Sequence, residues 1–328
     1  MKKILLLTTG GTISSVKSND GLVPSGVNHL LSYLGTIKDF SLTSKELMVL
    51  DSSNIQPEEW IIISKAIYEN MDQFDGIVVT HGTDTMAYTS SIVSFMIQNP
   101  RIPVVFTGSQ LPIDDDLTDA ITNLRVAFKM ALSGIRGIFI AFDKEVILGT
   151  RAVKVRTKSF QAFESINTYP VAKVDSNGIN INYQALPKYK DECIFKPNIE
   201  TNVFLLKLTP ATNPKIIDSL IDLGVKGIVI EAFGAGGIQF VRRDFIPTLV
   251  KARESNVAVV VTSQCLYDGA NLNIYEVGKK ALKTGVIEAY DMTCEAAVTK
   301  LMWVLGQTSN LDQVSTIFKE NIAGEIKE

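Results

Sequence analysis

Four hydroxyl side chains stand where apolar runs give way to polar turns. Thr12 follows Ile4–Leu7 in KILLLTTGGTIS, Ser52 follows Glu46–Leu50, Thr83 lies in DGIVVTHGTD, and Ser109 lies in IPVVFTGSQ. Two carboxylates, Asp51 and Asp84, sit beside them. A hydroxyl attacks a carbonyl only when a neighbouring base removes its proton. The chain has two histidines, His29 and His81, so a serine–histidine–aspartate device would need one of them. His81 is next but one to Thr83, yet successive residues on a turn splay apart, and no G-x-S-x-G elbow is present. Lys154, in GTRAVKVR, is the other possible base, because burial can hold a lysine neutral. On spacing alone its simpler reading is a stem laid along the sheet with the ammonium in water. Cys193, Cys265 and Cys294 show no metal-ligand or disulfide spacing and read as buried free thiols.

These groups meet only if the strands carrying them are neighbours. Ligands of open α/β sheets bind beyond the carboxyl ends of the strands, where the ends carrying Thr12, Thr83 and Ser109 would converge. Strand and helix signals alternate. Ser15–Ser25 reads as a loop and Val27–Leu34 as a helix. Glu46–Leu50 is a strand, and a helix runs from Pro57 to about Phe74. Asp84 is placed to cap a helix through Met96, and Thr118–Leu132 is a further helix. Arg136–Asn182 breaks the pattern and reads as antiparallel, with a hairpin turn at Asn177-Gly178. Lys188–Asn202 is charged and lacks apolar periodicity, as a linker does. Beyond it the alternation resumes. The expected fold is α/β with two three-layer α/β/α domains. Residues 1–187 form the larger, with a mainly parallel sheet and an antiparallel hairpin; residues 203–328 form a smaller flavodoxin-like domain.

Composition narrows the ligand. Lys plus Arg (32) nearly balance Asp plus Glu (35) and no basic block stands out, so nucleic acid is not an expected partner. Gly10-Gly11 lacks the G-x-G-x-x-G spacing, and no phosphate-binding loop motif occurs, which argues against a nucleotide cofactor. The apolar run behind Lys2-Lys3 is too short for a signal segment or membrane span, so a cytoplasmic protein with a small-molecule substrate is expected.

The motifs T-T-G-G-T-I (Thr8–Ile13), D-S-S (Asp51–Ser53), H-G-T-D-T (His81–Thr85) and T-G-S-Q (Thr107–Gln110), in this order and separation, resemble the signatures of the bacterial-type L-asparaginases, in their cytoplasmic type I branch. The resemblance spans the whole length. It implies that Thr12 is the nucleophile toward the side-chain amide of L-asparagine, giving an acyl-enzyme that water cleaves to aspartate and ammonia. It implies that Thr83, Asp84 and Lys154 form a second, base-bearing constellation. Asp84 then faces the substrate ammonium, Ser52 and turn amides near Asp51 supply donors for its carboxylate, Asp51 and Ser53 count with them as substrate-binding residues, and the Thr83 backbone helps hold the oxyanion. No metal or organic cofactor is implied, and homo-oligomers, dimers or dimers of dimers, are expected.

Two positions depart from the pattern. Many members of the family place a tyrosine in the loop after the nucleophile, whereas Asp20-Gly21-Leu22-Val23-Pro24 has none; Ser14, Ser15 and Tyr33 are the hydroxyls at hand. Some members regulated by asparagine carry arginine where this chain has Glu231. Two other readings stay open. One is an amino-acid-binding or sensing relative without turnover. The other is a glutaminase-type amidase or amidotransferase subunit, although that subunit has an added N-terminal domain and here the first strand begins at Lys3.

Overall fold

A computed structural model describes residues 1–18, 21–24 and 40–327. The helix expected over Val27–Leu34, with His29 and Tyr33, lies outside them. The chain divides into two compact units, residues 1–197 and 198–328.

The first unit is built on an eight-stranded sheet. Its strands are β1 (Lys2–Gly10), β4 (Phe40–Leu50), β5 (Gly76–Thr80), β7 (Pro103–Thr107), β8 (Gly137–Phe142), β9 (Glu145–Leu148), β12 (Ala172–Asp175) and β13 (Gly178–Ile181). Two-stranded pieces account for β2 (Ser15–Ser18) with β3 (Gly21–Pro24), β6 (Ile97–Gln98) with β14 (Ile194–Phe195), and β10 (Ala152–Lys154) with β11 (Phe163–Ser165). The sheet order is β13-β12-β9-β8-β7-β5-β1-β4. Pairing is parallel from β4 through β1, β5 and β7 to β8, and antiparallel from β8 outward. The central strands β5 and β7 are buried at every residue, which is why they read as unbroken apolar runs.

Three expectations need correcting here. Gly137–Phe142 pairs parallel with β7, so it closes the parallel part and antiparallel pairing begins only with β9. β4 starts at Phe40, not Glu46. As an edge strand it is half exposed, and the polar stretch Ser41–Lys45 conceals it in the sequence. Ser15–Ser25 is not plain loop: β2 and β3 pair antiparallel from Ser15↔Pro24 to Ser18↔Gly21. So short a polar ribbon carries no hydrophobic alternation to announce it.

Helix α1 (Pro57–Asn70) begins with proline at its first position, and the Glu59 carboxylate accepts from the Gln56 N–H at 2.8 Å. Helix α2 (Met86–Met96) takes Thr85 as its N-cap residue, and no side chain caps it. Asp84 is therefore not the cap; its carboxylate turns to Lys154 instead. Helix α3 (Ala120–Ala131) packs Leu124, Ala127 and Phe128 into a core with Ile4, Leu6, Val78 and Val105. That core fixes one face of the sheet and the positions of its carboxyl ends.

The second unit carries β15 (Val203–Lys207), β16 (Gly227–Ala232), β17 (Ala258–Ser263) and β18 (Ile287–Glu288), parallel and in sequential order. Helices α4 (Lys215–Asp222), α5 (Ile246–Glu254) and α6 (Glu276–Lys283) share one core face through Ile217, Leu249 and Ala281. Helix α7 (Cys294–Gln307) brings Leu301 and Leu305 against Gly227, and α8 (Leu311–Lys319) follows. The unit has the expected three layers, with its strands in sequence order rather than the flavodoxin order. Glu231, at the end of β16, lies 3.4 Å from the Lys207 ammonium. Among the described residues no helix is long and apolar enough to cross a membrane.

Candidate active site

The site is assembled by glycines that let three turns touch. β1 leaves the sheet through Gly10 and Gly11, at φ of 102° and 81°, a region that costs a side-chain-bearing residue strain. The Gly11 N–H donates to Leu50 O at 3.0 Å, tying this turn to the end of β4. A Cβ on Gly11 would stand 2.5 Å from Gly82 N, and one on Gly82 would stand 2.5 Å from Ser52 Oγ. The turns carrying Thr12, Ser52 and Thr83 therefore meet at the carboxyl edge of β1, β4 and β5.

Each hydroxyl has a defined setting. Thr12 is half-buried and opens a short 3-10 turn, Thr12–Ser14. Its carbonyl accepts from the Ser15 N–H. The hydroxyls of Ser15 and Ser14 donate to Gly11 O at 2.9 and 3.4 Å, so both brace the turn. Buried Ser52 accepts the Asp84 N–H on its Oγ at 3.2 Å and the Thr85 hydroxyl on its carbonyl at 2.8 Å. Asp51 Oδ1 accepts from the Ser53 N–H at 2.8 Å and the Ser53 hydroxyl at 2.6 Å, which holds its carboxyl below the usual range. Ser109 does not join the group: its hydroxyl donates to Leu111 O within its own turn, at 2.5 Å. Buried Asp119 braces that turn by accepting from the Gln110 and Leu111 N–H groups.

Lys154 enters from β10, 70 residues downstream of Asp84 in the sequence. Its ammonium lies 2.7 Å from Thr83 Oγ1 and 2.6 Å from Asp84 Oδ1. The lysine side chain is 16% exposed while Asp84 is 62% exposed, so the nitrogen is drawn inward and the carboxylate faces out. The snorkelling reading is thereby excluded. Of the predicted residues, Thr83, Asp84 and Lys154 are in direct contact, and Ser52 touches Asp84 through its backbone. Leu22, where the family's loop tyrosine would fall, lies on β3 and pairs with Lys17 across the ribbon.

His81 has no access to substrate. It is fully buried, with Nδ1 2.7 Å from Gly82 O and Nε2 2.9 Å from the Thr89 hydroxyl. Burial lowers its pKa from 6.5 to about 4, against the raising effect of the Gly82 bond. The sign follows from proton uptake. Below pH 6.5 the unfolded chain binds a proton that the folded chain refuses, so stability falls as pH drops from about 6.5 to about 4. The expected loss is ~2 kcal/mol by pH 5. Urea midpoints at pH 7 and pH 5 check this, with the pH dependence flattened in His81→Asn. Trp60 and Thr89, which complete the hydrogen bonding around His81, carry no local sequence signal: they lie on separate helices and are neighbours only in the fold.

Fold and geometry define a class, a two-unit α/β protein with lysine, hydroxyls and carboxylates gathered at the carboxyl edge of its larger sheet. Known proteins share this fold. Residues 3–187 match the family model described as "Asparaginase, N-terminal", and residues 202–318 match "Glutaminase/Asparaginase C-terminal domain". The L-asparaginase of Thermococcus kodakarensis is 44% identical over 329 residues, covering 99% of each chain. A solved structure of the thermostable L-asparaginase from that organism superposes with a TM-score of 0.95 at 42% identity, covering 99% of both chains. A glutamyl-tRNA(Gln) amidotransferase polypeptide of Pyrococcus abyssi is 37% identical over 340 residues, covering 99% of this chain and 77% of that protein. The chain belongs to the asparaginase family.

Proposed function

We propose that this chain is an L-asparaginase, hydrolysing the side-chain amide of L-asparagine to L-aspartate and ammonia through a Thr12 acyl-enzyme. The observation carrying the reading is the Lys154 nitrogen seated between Thr83 Oγ1 and Asp84 Oδ1, beside the turn that bears Thr12. In the acylation step the Thr12 oxygen bonds to the amide carbon. Its proton passes to the Thr83–Lys154 pair and on to the departing nitrogen, which leaves as ammonia. Water then attacks the ester, its proton returns by the same pair to Thr12, and aspartate is released. The Thr83 N–H stabilises the oxyanion in both steps, an interaction of a kind worth ~3 kcal/mol. Asp84 holds the substrate ammonium with the oxygen turned away from Lys154. The Ser52 hydroxyl donates to the substrate carboxylate. We further propose a cytoplasmic protein that assembles as a dimer or dimer of dimers.

An ammonia-release assay on purified protein with L-asparagine, L-glutamine and D-asparagine tests this. Turnover of L-asparagine above the other two is expected. Selection against glutamine rests on one methylene and is expected to be modest, in keeping with the ~1–3 kcal/mol that such a group is worth. Binding of asparagine without ammonia release would identify a sensing protein and defeat the proposal.

A further inference from the structure

Three side chains form a line of hydrogen bonds through the interior of the first unit and end at the site. The Trp60 Nε1–H on α1 donates to Thr89 Oγ1 on α2 at 3.1 Å. Thr89 Oγ1 lies 2.9 Å from His81 Nε2, and His81 Nδ1 lies 2.7 Å from Gly82 O. His81 and Thr89 are fully buried, and Trp60 is 7% exposed.

Chemistry fixes the direction of the line. A carbonyl oxygen only accepts, so Nδ1 carries the hydrogen. A neutral imidazole then presents a lone pair at Nε2, to which the Thr89 hydroxyl donates while its oxygen takes the indole hydrogen. Burial keeps the ring neutral, so it supplies a donor without adding a positive charge near Lys154. The carbonyl it grips shares one planar trans peptide with the Thr83 N–H, and the two point in opposite directions. Holding Gly82 O therefore sets where the Thr83 N–H points and polarises it.

We propose that His81, oriented by Thr89 and Trp60, is a positioning residue that clamps the Gly82–Thr83 peptide and aims its N–H at the oxyanion. This rests on the asparaginase reading, which assigns that N–H to the oxyanion. The surroundings suit a clamp. The His81 N–H donates to Thr107 O at 2.8 Å, and a Cβ on Gly11 would stand 2.5 Å from Gly82 N. Beyond the peptide the Asp84 N–H donates to Ser52 Oγ at 3.2 Å, so the backbone is held on both sides of it and the imidazole controls the remaining freedom, its rotation.

The test compares His81→Leu, which has no donor, with His81→Asn, whose side-chain N–H can stand near the position of Nδ1. Wild type is also examined by proton–nitrogen NMR of the imidazole. With two histidines in the chain, the His81 signals are those lost in His81→Asn. The expected results are an Nδ1–H tautomer in the wild type and a kcat lowered ~10- to 100-fold in His81→Leu. KM for asparagine should change by less than about threefold, and His81→Asn should regain kcat to within about threefold of wild type. A merely structural histidine would not produce this split of kcat from KM, nor the rescue. An Nε2–H tautomer overturns the clamp, as does a folded His81→Leu enzyme with undiminished kcat, or an asparagine variant no better than leucine. A wild type that releases no ammonia overturns the functional reading on its own account, and the clamp is then judged by the tautomer.

Discussion

Thr12→Val is expected to lower ammonia release from asparagine by about a thousandfold or more while leaving the fold intact, as for loss of a nucleophile that no neighbour replaces. Valine matches threonine in shape and branching, so the half-buried position at the start of the Thr12–Ser14 turn tolerates it. The turn itself is braced through Gly11, by the Ser14 and Ser15 hydroxyls and by Leu50 O, and none of these bonds uses the Thr12 side chain. Far-ultraviolet circular dichroism and the thermal midpoint should therefore match wild type. Activity within about tenfold of wild type would remove Thr12 from the role of nucleophile and turn attention to Thr83.

The second large effect is at Lys154. Lys154→Met keeps the length of the side chain but removes the nitrogen between Thr83 and Asp84, and kcat is expected to fall ~10²- to 10⁴-fold, the range for loss of a positioned acid–base group. Lys154→Arg separates two explanations. Arginine preserves the positive charge and can still pair with Asp84, but it does not give up its proton in a protein. If lysine handles the proton, arginine fails to rescue turnover; recovery of kcat by arginine would make the group an electrostatic partner and not a base. The missing loop tyrosine raises the stake of this comparison, because the Ser14 and Ser15 hydroxyls are both engaged with Gly11 O.

Much of the first sheet was legible because burial on both faces writes itself as an apolar run. β5 and β7 are buried throughout, and their sequences, GIVVT and PVVFT, announce both strand and end. Legibility failed where one face meets water or where a group serves a partner far along the chain. The polar half of β4 is of the first kind. Asp84 is of the second. A carboxylate just before a helix has two uses, and the cap was the local one; the ion pair with a lysine 70 residues away won because its charge is opposite and its nitrogen is held indoors. Ser109 stands at the same kind of strand end as Thr83, yet its own turn offers Leu111 O as a closer acceptor.

The sequence by itself determined the fold class, the family signatures and the candidate reactive groups, because apolar runs, glycine pairs and hydroxyls in fixed order are local facts of the chain. Only the tertiary structure decided what those groups touch. It seated Lys154 between Thr83 and Asp84, made Gly11 and Gly82 the points at which turns meet, and buried His81 behind Trp60 and Thr89. The reason is physical. Hydrogen bonds and ion pairs act over a few ångströms, and the residues that satisfy one another here are brought within that range by strand order, a property of the whole sheet and of no single segment.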